Sequence, residues 1–106
     1  MSLNIKNMNK LETLPKHLEY KNGFYALAVW VTAWNNLCVG YKLVDGPSDQ
    51  THILSMVVEP NNEPFIPDTI EPQGLNDNIG NARTLDDAID VVQSQISRFN
   101  IKVATV

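Results

Sequence analysis

Several things are missing from this chain, and each absence removes a class of function. Cys38 is the single cysteine in 106 residues, so no internal disulfide can form, and a reducing compartment, the cytoplasm, is the expected location. No apolar run approaches the roughly 20 residues that a spanning helix needs, and Met1 to Asn9 lacks the apolar core of a signal peptide. A membrane is therefore not an expected partner. Gly-rich phosphate loops, the Gly-x-Ser-x-Gly elbow and the His-Glu-x-x-His pair are all missing. So are clustered basic residues. Residues 45–97 hold ten acids against Arg83 alone, a net charge of −9, while residues 1–44 carry five Lys and two Glu, a net +3. Lys6, Lys10, Lys16 and Lys21 are spaced out without interleaved aromatics, the pattern of a solvated segment. Phosphate binding needs clustered Lys and Arg, so no nucleic-acid partner is expected.

What is present is the composition of an ordinary globular protein, 43% hydrophobic and 19% charged. It predicts one domain over residues 1–106, with 1–9 poorly ordered and Met1-Ser2-Leu3 open to being a cloning remnant. The strongest local signal is Phe24 to Val44, a β-hairpin whose arms, Phe24–Trp34 and Leu37–Val44, are apolar at successive positions. An antiparallel strand with one wet face should alternate apolar with polar, so both faces of this hairpin call for a cover. Taking Asn35-Asn36 as a two-residue turn sets Trp34 opposite Leu37, Thr32 opposite Val39, Trp30 opposite Tyr41 and Ala28 opposite Leu43. One face then carries Trp30, Thr32, Trp34, Val39 and Tyr41. The other is flatter, with Leu27, Val29, Val31 and Ala33 against Cys38, Gly40, Lys42 and Val44, and suits a helix. A slip of one residue would exchange these faces.

Around the hairpin, Thr13-Leu14-Pro15 is compatible with a short helix through Tyr20, and Asn22-Gly23 with a turn. A third strand spans His52 to Glu59 and stops at Pro60. Residues 60–83 read as a long Pro- and Asn-rich loop whose Phe65, Ile66, Ile70, Leu75 and Ile79 should pack back on the body. Thr84 can cap a helix with Asp86 and Asp87 in its first turn; Leu85, Ala88, Ile89, Val92, Ile96 and Phe99 form its apolar stripe, and Asn100 can close it. Ile101–Val106 reads as a short final strand. The expected fold is α+β, a three-strand antiparallel meander, the long loop, one amphipathic helix on one sheet face and a last strand (β-β-β-α-β), in spatial order 3-2-1-4. The Thr84-Leu85-Asp86-Asp87-Ala88 helix start after three strands resembles the N-terminal domain of HicB-type antitoxins. The Pro-rich insertion departs from that compact pattern, so no family is assigned on it.

Candidate chemistry is sparse. Cys38, His17 and His52 could sketch a nucleophile and base, but a mid-strand thiol in an apolar set is normally an inert small hydrophobe. Two His and one Cys lack the paired spacing of a zinc site. Glu59, Glu63, Asp68, Glu71 and Asp77 could meet as acid and base or hold a hard cation, yet a solvated acidic loop explains them better. Asn76–Asn81 lacks the alternating ligands and closing Glu of a calcium loop. No catalytic residue, metal or other cofactor is expected. Trp30, Thr32, Trp34, Val39 and Tyr41 are the candidate contact residues, since aromatics with a polar tip favour interfaces and pockets. The leading expectation is a non-catalytic module that self-associates as a homodimer through this face. The alternative is a small-molecule-binding protein or small enzyme with its site between the same face and the acidic loop.

Overall fold

The structure, a computed structural model, describes residues 10–32, 36–47, 51–59 and 78–105, and the elements below are those of the described residues. Strands β1 (His17–Tyr20), β2 (Gly23–Val31), β3 (Leu37–Asp45) and β4 (His52–Val58) form an antiparallel meander. Strand β5 (Asn78–Ala82) lies parallel to β4, helix α1 (Leu85–Arg98) follows, and β6 (Lys102–Val103) pairs antiparallel with β1. The six strands make one sheet in the order β5-β4-β3-β2-β1-β6, with the helix packed across β4, β3 and β5. The mixed α+β class thus matches expectation, with more strands than three plus one. Among the described residues no helix is long and apolar enough to cross a membrane.

The chain before β2 is a strand where the spacing suggests a short helix. Among the described residues the helical stretch ends in a turn at Lys10–Leu14, with Thr13 N–H and Leu14 N–H donating to the Lys10 and Leu11 carbonyls. Pro15 then disfavours helical geometry at Leu14, and residues 17–20 extend. The turn residues Lys21 and Asn22 have φ of 48° and 64°, the paired left-handed values of a two-residue hairpin, which places Tyr20 opposite Gly23.

The central hairpin is displaced by three residues from the Asn35-Asn36 register. Trp30 faces Cys38, not Tyr41; Val31 faces Leu37, and Leu27 faces Tyr41. The reason lies at the loop. Thr32 N–H donates to the Asn36 carbonyl at 2.9 Å, and Asn36 N–H donates back to the Thr32 hydroxyl at 3.2 Å, so the connection closes at Thr32 and Asn36. Residues 33–35, Trp34 among them, lie outside the described residues. An odd slip turns every side chain of one arm to the other face. Tyr25, Leu27, Val29 and Val31 therefore face the helix together with Leu37, Val39, Tyr41 and Leu43. Trp30 and Cys38 point the other way, packing with Val57 and Ala28. The helix sits on the predicted face of β2 and on the unpredicted face of β3.

Strand β4 is buried at all seven positions, as a strand covered on both sides should be. Its phase changes midway. Val39 pairs with Met56 but Tyr41 pairs with Ile53, so Leu54 and Ser55 both oppose Gly40, a β-bulge. Leu54 carries the kink at φ 57°, a left-handed value that costs a branched side chain roughly 1–2 kcal/mol. As a result the adjacent residues Ile53 and Leu54 both join the helix-side core, while His52, Ser55 and Val57 face away. A Cβ on Gly40 would lie 2.8 Å from Ser55 Cα, 3.0 Å from the Leu54 oxygen and 3.1 Å from the Ile53 oxygen, so the bulge requires glycine there.

Residues 78–82, within the expected loop, form β5; the Glu59 N–H donates to the Ala82 carbonyl at 2.9 Å and the Asn81 side-chain amide donates to the Glu59 carboxylate at 2.6 Å. Residues 60–77 lie outside the described residues, as do residues 1–9. Helix α1 starts as its sequence indicates, with Thr84 Oγ1 accepting from Asp87 N–H at 3.1 Å. Leu85, Ala88, Ile89, Val92 and Ile96 are buried, and the four larger side chains each contribute roughly 1.5–3 kcal/mol through removal from water. Phe99 leaves the stripe and is 61% exposed. Asn100, at φ 54°, ends the helix: its N–H donates to the Ser97 carbonyl and Ile101 N–H donates to the Ile96 carbonyl, closing a Schellman motif. The last strand is shorter than Ile101–Val106 and pairs with β1, which stands where the 3-2-1-4 order has none.

Candidate functional site

The five residues singled out by the hairpin do not form one surface. Trp30 is fully buried on the sheet face away from the helix, its ring stacked on His52 at 4.6 Å and 22°. Tyr41 is fully buried on the helix side, and its hydroxyl donates to the Pro15 carbonyl at 2.6 Å. Val39 is buried beside Tyr41 in the same cluster, Thr32 closes the β2–β3 loop, and Trp34 is outside the described residues. The indole Nε1 of Trp30 and the hydroxyl of Ser55 are buried with no hydrogen-bond partner among the described residues.

The thiol and imidazoles are likewise occupied by packing. Cys38 Sγ donates to the Asn36 carbonyl at 3.7 Å, and burial, with the Glu59 charge adding to it, pushes its pKa up to about 12. A thiol so protonated is a poor nucleophile at neutral pH. His17 stacks on Phe24 at 5.0 Å, and His52 stacks on Trp30 with its Nδ1 3.3 Å from the Thr51 hydroxyl. Burial also raises the Tyr41 phenol well above its ordinary value. Among the described residues no three His, Cys, Asp or Glu side chains gather as a metal site; Glu63, Asp68, Glu71 and Asp77 lie outside them.

What the fold leaves open is a cleft of about 440 Å³ between the carboxyl end of α1 and the sheet. Its floor is Ile53 and Leu54, 2% and 7% exposed, which the bulge presents side by side. Ile79 of β5 and Phe99 form its lips, 36% and 61% exposed. The Schellman turn throws Phe99 outward and brings Ile101 back to the wall, while the β1–β2 turn contributes Tyr20 and Lys21. Two cations flank this apolar surface. Lys21 Nζ lies 5.3 Å from the centre of the Tyr20 ring, and the Arg98 guanidinium lies 5.6 Å from that of Phe99. A second hollow, about 480 Å³, opens on the far side of the β1–β2 turn. It is polar and its charges are mixed, with Lys102 held by Glu19 at 3.3 Å.

Periodicity alone does not reveal the cleft. Leu54 reaches it only through a left-handed bulge residue, and Ile79 only because the end of a loop-like stretch pairs as a strand. For Phe99 a signal exists: Asn100 as a left-handed cap residue ends the helical phase just after it. No protein-family model matches the chain, and neither does any curated protein or solved structure.

Proposed function

We propose that the protein is a non-catalytic binding module whose contact surface is the apolar cleft between α1 and the sheet. The observation that carries this reading is a buried aliphatic floor bounded by exposed Ile79 and Phe99. Its volume of about 440 Å³ falls in the range of small-molecule pockets. Supporting it, Cys38 and Tyr41 are held by internal hydrogen bonds and His17 and His52 by ring stacking. Self-association through the Trp30–Tyr41 set has no such support, because Trp30 and Tyr41 are fully covered within one subunit and face opposite sides.

The experiment is mass in solution combined with titration of a fluorescent apolar dye. A monomer that binds one dye, and loses it in an Ile79→Glu variant of unchanged circular dichroism, supports the cleft. A dimer that dissociates in the same variant would give this surface to a second copy of the chain and overturn the small-molecule reading. Dye binding indifferent to Ile79→Glu would place the contact surface elsewhere.

A further inference from the structure

We infer that the cleft takes an apolar molecule with one anionic head, a medium-chain carboxylate in its simplest form, and that Lys21 holds that head. The inference rests on the cleft being the contact surface and adds the chemistry of its occupant. Apart from Lys21, the lining is uncharged, with Ile53, Leu54, Ile79, Phe99 and Ile101 supplying the apolar part. Gln95 and the Tyr20 hydroxyl are the uncharged polar groups of this lining, too few to match a ligand that is polar along its length, and each polar group buried without a partner is penalised. At the roughly 30 Å³ that a water molecule takes in the liquid, the space corresponds to about fifteen non-hydrogen atoms, the size of a short acyl chain and its head.

The sign of the head follows from the rim. Lys21 is exposed, sits at the turn with its ammonium over Tyr20, and makes no ion pair with a described residue. Glu19, the acid nearest it along β1, is held by Lys102 at 3.3 Å. At the opposite lip Arg98 lies over Phe99. The carboxyl end of a helix carries partial negative charge and would by itself repel an anion. Here its last carbonyls are taken up, Gln95 by Phe99 N–H, Ser97 by Asn100 N–H and Ile96 by Ile101 N–H, and both flanking side chains are cationic. The net charge of −4 is spread over the chain, and at physiological salt a charge more than about 8 Å from the head is largely screened. Asp45 and Glu19 share with Lys21 the hollow on the other side of the turn, and Lys21 is the charged side chain that lines the cleft itself.

The test is calorimetric titration of the full chain with decanoate and with decanol, each below its micellar or solubility limit. Decanoate should bind more tightly by about fivefold, the upper end for an exposed ion pair. Lys21→Asn, chosen because asparagine tolerates the left-handed φ of 48° at this turn, should reduce decanoate to the level of decanol, and Lys21→Arg should restore the difference. Raising the salt concentration should narrow the gap for the native chain and for Lys21→Arg, and leave Lys21→Asn unchanged. Equal binding of both ligands to the native chain would overturn the anionic head and leave the cleft standing. Binding of neither, or binding of both unaffected by Ile79→Glu, would overturn the cleft itself and the inference with it. A decanoate preference that survives Lys21→Asn would remove Lys21 from the site.

Discussion

Replacing Gly40 by alanine adds one methyl group where β3 and β4 run close beneath the bulge. Its Cβ would meet three backbone atoms at 2.8, 3.0 and 3.1 Å, and backbone cannot rotate aside as a side-chain tip can. Forcing such atoms apart costs about 1–3 kcal/mol as overpacking. Alanine recovers about 0.4–1 kcal/mol by restricting the unfolded chain, so the net loss should be about 1–2 kcal/mol. For a domain of this size that lowers the melting temperature by roughly 5–15 °C, measurable by calorimetry and by urea denaturation with an unchanged slope. The same displacement moves Ile53 and Leu54, the floor of the cleft, so apolar-ligand binding should weaken more than stability alone dictates. Leu54→Gly supplies the counterpart: relief of left-handed strain, about 1–2 kcal/mol, against about 2–5 kcal/mol of lost burial. A Gly40→Ala variant as stable as the native chain would refute the close approach on which the bulge argument stands.

Further expectations concern the core. Ile89→Ala, at the centre of the buried helix stripe, should cost about 2–5 kcal/mol by denaturation, while Asp90→Ala removes only an exposed 2.8 Å pair with Lys10 and should cost less than about 1 kcal/mol. Equal losses would mean that the helix is rotated. Cys38 should resist thiol reagents at pH 8 until the protein unfolds. Its folded pKa of about 12 lies above the ordinary 9.0, so its contribution to stability is complete below pH 9 and is lost as pH rises towards 12; a flat stability profile over that window would contradict the burial. Trp30→Glu should unfold or aggregate the subunit, since the carboxylate would enter a fully covered site; a folded variant of halved mass would instead restore the dimer face.

The elements whose pattern is local were legible in the sequence. The buried part of the helix stripe, the Thr84 cap and the two arms of the hairpin each follow from residues a few positions apart. What sequence spacing does not carry is how those elements are set against each other. Asn35-Asn36 offers good turn chemistry, yet a hydroxyl at Thr32 and a carbonyl at Asn36 close the loop elsewhere, and the resulting odd slip divides Trp30 from Tyr41. The bulge at Leu54 is hidden for a related reason. Leucine is among the last residues expected at positive φ, and only the surrounding sheet and helix make that conformation the best available. The cleft depends on the bulge and on the outward turn of Phe99, so it stayed invisible while the core beneath it was readable.

The pairing of β6 with β1 has a kinetic side. It joins Leu18 to Val103 and Glu19 to Lys102, residues from opposite ends of the described chain, through a strand only two residues long. The meander can assemble from neighbouring segments, whereas this clasp must close the widest loop for little reward, so it should form last and open first. Its opening frees the Ala104 N–H from the His17 carbonyl, while Ile101, one residue before the strand, keeps its own bond to the Ile96 carbonyl. Hydrogen exchange at Ala104 should therefore run ahead of exchange in β2 and β3, whose longer ladder holds the middle of the sheet.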